Sequence, residues 1–290
     1  MPYARYRHTA SLVDGKVYII GGRTLMDEVI KEIVVYDPID DSWSSFMELP
    51  DDYAVSDHAA VVKDGYIYVM AGYDQVYNPK VKTFTINVQT KQILDLAPMQ
   101  IKRGDASAVY YNKNGIEAIY IMGGFTDAND WCAPITHGEK YNFKTNQWSG
   151  IPPLNHERGD KSVVVFEERI LAIGGETKHD SYCAADSDLD PSSYSVAVDD
   201  VESFNPQDGD DAAWEVEFDF STTRFRAVAA ASTKFGKVYV FGGQADYDPS
   251  CQCYETSKDI FYFRDHDSGG SVAKVGFAFG IVGAVVAMLL

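Results

Sequence analysis

Val17-Tyr18-Ile19-Ile20-Gly21-Gly22 decides the fold, because the chain repeats it. Ile67-Tyr68-Val69-Met70-Ala71-Gly72 is the second copy and Ile119-Tyr120-Ile121-Met122-Gly123-Gly124 the third. Ile170-Leu171-Ala172-Ile173-Gly174-Gly175 and Val238-Tyr239-Val240-Phe241-Gly242-Gly243 complete the set. The first position of each terminal pair falls at 21, 71, 123, 174 and 242, in steps of 50, 52, 51 and 68. A period near 50 residues marks a repeat architecture, in which each copy is one supersecondary unit. Apolar runs this short predict buried strands, and the glycines let the chain leave them with φ values that other residues resist.

The surroundings repeat as well. β-prone runs precede each copy, starting at His8, His58, Asp105, Asp160 and Arg226. Asp14-Gly15 and Asp64-Gly65 supply the two-residue hairpin signal. A third strand ends in Val35-Tyr36-Asp37-Pro38, Lys140-Tyr141-Asn142 or Ser203-Phe204-Asn205-Pro206, and Trp43, Trp148 or Trp214 follows. Tyr36 precedes Trp43 by seven residues and Tyr141 precedes Trp148 by seven; Ile86 and Ile93 hold those places in the second copy. Over roughly residues 2–264 the pattern resembles the Kelch repeat family. The resemblance implies an all-β fold, a Kelch-type β-propeller of about five four-stranded blades, each with strands a to d. Large aromatics would fill the wedges between blades, since one blade cannot bury its own apolar face.

The sequence divides into three expected segments: a Kelch-like propeller over 1–264, from the resemblance, and, from composition, a Gly/Ser hinge over 265–274 and a C-terminal hydrophobic helix over 275–290. Leu49-Pro50, Ala97-Pro98 and Ile151-Pro152 each lead into the next blade, and Met1-Pro2 resembles the tail of such a turn. The last blade therefore lacks its own strand d, and we expect an upstream segment to supply it; the alternative is a five-bladed ring closed loosely or by the C-terminal residues. Val275–Leu290 carries no charge. As a helix its sixteen residues would span about 24 Å against a hydrocarbon core of about 30 Å, with Lys274 able to snorkel. A transmembrane helix or anchor signal is expected there, making the protein membrane-associated. Which side the propeller faces stays open, extracellular being preferred to cytosolic.

Net charge is −18. That excludes nucleic acid as a partner of the domain surface and is compatible with cationic partners. Chain order in an antiparallel meander sends every b–c connection to one face. Three of these loops hold all four cysteines: Trp131-Cys132, Tyr182-Cys183 and Cys251-Gln252-Cys253. Disulfides between loops are expected, joining Cys132 or Cys183 to a cysteine of the last pair, because Cys251 and Cys253 sit too close in sequence to pair easily. A thiolate metal site and free thiols are the alternatives. Trp131, Tyr182, Asp186, Asp188, Asp190, Tyr247 and Tyr254 accompany them as the candidate binding surface. Asp186-x-Asp188-x-Asp190 opens like a calcium loop. Pro191 and Ala197 stand where an EF-hand needs glycine and glutamate, which leaves only a looser calcium contact.

Arg103-Gly104-Asp105 and Arg158-Gly159-Asp160 occupy one repeat position, which favours blade packing over an adhesion tripeptide. His8 and His58 are also repeat equivalents and read as structural. No nucleophile motif, P-loop or dinucleotide fingerprint is present. The expected function is a non-catalytic scaffold, without cofactor or catalytic residue, that binds a protein or glycan on the b–c loop face and is tethered by Val275–Leu290. The alternative is a sugar-modifying or metal-dependent enzyme on the same fold.

Overall fold

The computed structural model describes residues 1–129, 132–178, 195–209, 211–219, 224–248, 250–264 and 273–275. Every strand belongs to an antiparallel sheet, and five of the sheets have four strands. Blade 1 is β1 (Thr9–Val13), β2 (Lys16–Ile20), β3 (Glu32–Asp37) and β4 (Ser42–Glu48). Blade 2 is β5 (Ala59–Lys63), β6 (Tyr66–Met70), β7 (Thr83–Asn87) and β8 (Ile93–Asp95). Blade 3 is β9 (Ser107–Lys113), β10 (Ile116–Met122), β11 (Gly138–Asn142) and β12 (Gln147–Ile151). Blade 4 takes β13 (Ser162–Phe166), β14 (Arg169–Ile173), β17 (Asp200–Phe204) and β18 (Glu215–Asp219), with β15 (Glu176–Lys178) and β16 (Ser195–Ala197) inserted as a hairpin. Blade 5 takes β19 (Val228–Ser232), β20 (Lys237–Phe241), β23 (Ile260–Phe263) and β24 (Ala273–Val275), with β21 (Gln244–Asp248) and β22 (Cys253–Thr256) as its inserted hairpin. The chain forms two compact units, Met1–Trp131 with Gly138–Ile151, and Cys132–His137 with Pro152–Leu290.

Two expectations change here. The last blade has a fourth strand of its own: β24 pairs with β23 through Ile260 and Val275, Phe261 and Lys274, and Tyr262 and Ala273. An open edge on β23 has unpaired backbone groups, and the nearest available chain satisfies them. The hinge expected over 265–274 therefore ends in a strand, and Val275 is sheet rather than helix. Residues 276–290 lie outside the described ones, and among the described residues no helix is long and apolar enough to cross a membrane.

The repeat signals act as the physics requires. Asp14 and Gly15 have φ of 49° and 77°, and Asp64 and Gly65 of 50° and 77°. Both pairs make the left-handed two-residue turn whose twist matches a hairpin. Seven-residue spacing turns out to be a cross-strand register, pairing Tyr36 with Trp43, Tyr141 with Trp148 and Ile86 with Ile93. The Tyr141 and Trp148 ring centroids lie 5.2 Å apart. Trp148 Nε1 donates to Ala97 O at 3.0 Å, and Trp214 Nε1 donates to Pro152 O at 3.0 Å. Each indole thus ties its strand to the apolar–Pro turn that leads into its own blade.

Cores form where blades stack within a unit. Ile20, Ile33 and Val35 of blade 1 pack with Val69, Phe84 and Ile86 of blade 2. Met70 meets Ile119, Ile121 and Trp148 of blade 3. In the second unit, Leu171, Ile173 and Val201 pack with Val238, Val240 and Phe261.

Candidate binding face

One residue just before each first strand bridges to the residue just after the glycine pair. The pairs are Tyr6 with Arg23, Ser56 with Tyr73, Gly104 with Phe125, Gly159 with Glu176, and Phe225 with Gln244. This places every b–c connection beside the lead-in to its own blade. It also fixes which residues are equivalent from blade to blade.

In the first unit, blades 1 and 2 carry the same turn. Thr24 Oγ1 accepts from the N–H groups of Met26 and Glu28, both at 3.2 Å. Asp74 Oδ1 accepts from Val76 N at 3.0 Å and Asn78 N at 2.9 Å. Asp27 and Tyr77 both take φ of 63°. A short acceptor side chain that caps its own turn is the device Thr and Asp favour.

The two turns are bolted together. Arg23 is 0% exposed. Its Nη2 donates to Asp74 O at 2.6 Å, its Nη1 to Asp27 O at 2.9 Å, and its Nε to Ser56 Oγ at 2.9 Å. Its guanidinium also lies 3.7 Å from the Tyr77 ring centroid. Gln75 reaches back, accepting from Val29 N at 2.8 Å and donating to Asp27 O at 3.1 Å. The Tyr6 and Tyr77 hydroxyls both donate to Asp27 Oδ1, at 2.6 Å and 2.7 Å. These two bonds, Tyr6 first, hold the Asp27 carboxyl below its usual range. Burial and then the Asp27 bond push the Tyr77 phenol up to about 12.

On this rigid base stand apolar tips. Leu25 and Met26 are each 84% exposed, and Val76 is 71% exposed. Residues so apolar, held so openly on ordered turns, suit a contact surface. Sequence reasoning passed over them, because these short loops hold no cysteine, tryptophan or acidic run. The available signal was the matched position of Met26 and Val76, four residues beyond Gly22 and Gly72.

Of the surface expected from sequence, Trp131, Tyr182, Cys183, Asp186, Asp188 and Asp190 lie outside the described residues. Tyr247 and Tyr254 face each other across the β21–β22 hairpin, with ring centroids 5.4 Å apart. Phe225 lies 5.4 Å from Tyr254. Ala197 N donates to Asp246 Oδ1 at 2.7 Å, which sets the blade 4 hairpin beside the blade 5 hairpin. The expected bridge from another loop to the last cysteine pair is overturned. Cys251 bonds Cys253, with Cα atoms 5.3 Å apart. Gln252 between them has φ of 52°, so the hairpin tip curls tightly enough for near neighbours to meet. Cys132 is disulfide-bonded too, and among the described residues no cysteine is free.

Among the described residues, one group could offer three ligand atoms to a metal: His156, Asp200 and Glu202, within 4.8 Å of one another. Arg158, 0% exposed, already serves it. Its Nη2 donates to Asp200 Oδ1 and, at 2.5 Å, to Glu202 Oε1; Asp200 Oδ2 also bonds His156 Nδ1. Glu202 further accepts from Asn155 N at 2.6 Å and His156 N at 3.0 Å. The carboxylates therefore neutralise a buried guanidinium and cap a turn. Arg103, equally buried, does the same with Glu139. The twin Arg-Gly-Asp tripeptides are thus packing elements whose arginines reach no receptor.

Comparison with known proteins agrees with this architecture. A family profile described as Attractin/LZTR1 beta-propeller matches residues 1–248. Kelch-like protein terF of Aspergillus terreus is 29% identical over 189 residues, covering 61% of this chain and 39% of that protein. Kelch-like protein 40 of Xenopus laevis is 28% identical over 178 residues, covering 60% of this chain and 27% of its own. The chain thus spans well under half the length of these relatives. The solved structure of YjhT superposes with a TM-score of 0.71 at 14% identity, over 94% of this chain and 84% of that one. At that identity the likeness concerns the fold alone.

Proposed function

This chain belongs to the Attractin/LZTR1 beta-propeller family, and from that premise we propose a non-catalytic scaffold that binds a protein through its b–c loops. Kelch-type propellers are generally binding scaffolds, so the fold sets the class and the loops must supply the specificity. One observation carries the reading: Leu25, Met26 and Val76 stand exposed on turns that Arg23 and Gln75 lock together. Preformed loops bind with little ordering cost, and apolar tips on them favour a protein over a sugar. The clustered carboxylates a metal enzyme would need are engaged with Arg158.

Site-specific photocrosslinking tests this. A photoreactive residue at Met26 or Val76 is expected to capture a protein partner, and one at Ile39, exposed in the turn between β3 and β4, is not. Capture of no protein, or equal capture from Ile39, overturns the reading. A glycan bound in a way that Leu25→Ser with Met26→Ser abolishes would replace it with a carbohydrate-binding one.

A membrane tether is the second part of the proposal. It is supported only by the uncharged composition of the run ending at Leu290. Alkaline carbonate extraction that leaves the full chain in the soluble fraction removes it.

A further inference from the structure

Three loops of the first unit place an apolar residue at the same distance from the glycine pair, in matched turns in blades 1 and 2 and in a 3-10 helix (Asp127–Asn129) in blade 3. Gly22, Gly72 and Gly124 are equivalent, so Met26, Val76 and Ala128 share a register four residues further on, and all three are exposed. The loops differ elsewhere, as Leu25 against Gln75 and Asp27 against Tyr77 show. An apolar tip kept while its neighbours diverge is not needed by the turn, which Thr24 or Asp74 caps alone.

The charge between the tips has one sign. Segments 24–29, 74–79 and 126–129 contain Asp27, Glu28, Asp74 and Asp127 and no lysine or arginine. The nearby cations are engaged within the chain, two of them with these same carboxylates. Arg23 is buried among carbonyls, with its Nη1 also 3.5 Å from Asp27 Oδ1. Lys80 Nζ donates to Ala54 O at 3.1 Å, and Arg7 pairs with Asp57 at 3.2 Å. Lys102 pairs with Asp127 at 2.7 Å. Asp27 stays ionised because two phenol donors hold its oxygen.

We infer that the partner presents a polypeptide segment in which apolar side chains alternate with lysine or arginine. The apolar ones would cover Leu25, Met26 and Val76, and the basic ones would face Glu28 and Asp74. This rests on the reading of the face as a protein-binding surface and names the chemistry it selects. Burial of the tips supplies affinity, methionine adapts to the shape it meets, and the acidic field steers a cationic segment inward. The chain's net charge of −18 acts in the same sense at longer range.

Three fluorescein-labelled peptides test it against the full chain: alternating Lys and Leu, alternating Lys and Ser, and alternating Glu and Leu. The Lys–Leu peptide should bind more tightly than either other peptide by about tenfold or more. Met26→Ser with Val76→Ser should weaken it by about tenfold, while Ile39→Ser should leave it unchanged. Unaltered thermal unfolding of each variant confirms that folding is intact. Equal binding of the Lys–Ser peptide means bulk charge alone and overturns the inference. So does equal binding of the Glu–Leu peptide, no loss in the double variant, or no binding of the Lys–Leu peptide at all. Any of these leaves the broader reading standing as long as Met26 or Val76 still crosslinks a protein; failure of that crosslinking removes the broader reading itself.

Discussion

Arg103 Nη2 lies 2.8 Å from Glu139 Oε1, and both side chains are sealed from solvent. Glu139 also accepts from Gln100 N at 2.6 Å and Ile101 N at 3.2 Å. Removing the guanidinium leaves a buried carboxylate without its countercharge. Arg103→Ala is expected to cost about 3–5 kcal/mol in chemical denaturation. Adding Glu139→Gln should return part of that loss, since the amide oxygen still serves Gln100 N without a buried charge. A double variant no more stable than Arg103→Ala would show that packing, not charge, sets the cost.

The glycine pairs should not tolerate exchange equally. Gly22 has φ of 86°, and a Cβ there would fall 2.5 Å from Tyr6 O. Gly22→Ala is expected to lower stability by more than the roughly 1–2 kcal/mol that left-handed backbone alone costs an L-residue. Ala71, at the first position of the second pair, has φ of 62°. Ala71→Gly should therefore raise stability, by about 1 kcal/mol at most, read as a higher melting temperature.

His58 predicts an acid sensitivity. It is fully enclosed, Thr9 Oγ1 lies 2.7 Å from its Nε2, and its Nδ1 has no partner. Burial first, and His8 second, hold its pKa down at about 3. An unfolded histidine titrates near 6.5, so between those values the unfolded chain binds the extra proton. Stability from this group is complete above about pH 6.5 and falls with pH below it, by up to about 1.4 kcal/mol per pH unit. His58→Gln should flatten that limb of the stability–pH curve; an unchanged limb would assign the acid loss to other groups.

The Cys251–Cys253 bond closes a loop with one intervening residue. In the chain-entropy account so short a loop constrains the unfolded state little. Serine at both positions should cost no more than about 2 kcal/mol, measured by unfolding with and without reductant.

Loss of the clamp between the first two loops should be local. Arg23→Ala is expected to speed amide exchange in both 24–28 and 74–78 by about tenfold or more, with the cores of β2 and β6 still protected. Faster exchange in one loop alone would mean that the two turns are independent.

The blade framework was legible because its signals are local. Glycine pairs, hairpin turns and the seven-residue Tyr–Trp register each need only a few neighbouring residues. Burial of the paired arginines was legible too, through their repeat position. Their partners were not, since Glu139 and Glu202 lie 36 and 44 residues away on strand c. Comparison of the repeats does not reveal the coupling either. The second repeat has Val55 in place of the arginine and Phe84 in place of the acid, but the first and fifth repeats keep Arg5 and Arg224 with Val34 and Phe261 in place of the acid, so the two members do not always change together. Strand β24 is legible only as the alternative of closure by the C-terminal residues, because Ala273-Lys274-Val275 runs into the uncharged stretch behind it. The cysteine pairing was missed because separation in sequence says nothing about backbone curl at Gln252.

A main-chain relay runs through each unit. Asp57 N donates to Arg7 O at 3.0 Å and Asp105 N to Asp57 O at 3.0 Å; in the second unit Arg226 N donates to Asp160 O at 2.8 Å. All five residues are left-handed, with φ between 48° and 60°. The joint between consecutive blades thus uses atoms that every amino acid possesses. Mutation can rewrite the side chains at these positions, from arginine to aspartate and back, without touching the joint. A gene built from such modules can duplicate or lose a whole blade and still offer the next one the same peptide group to grasp.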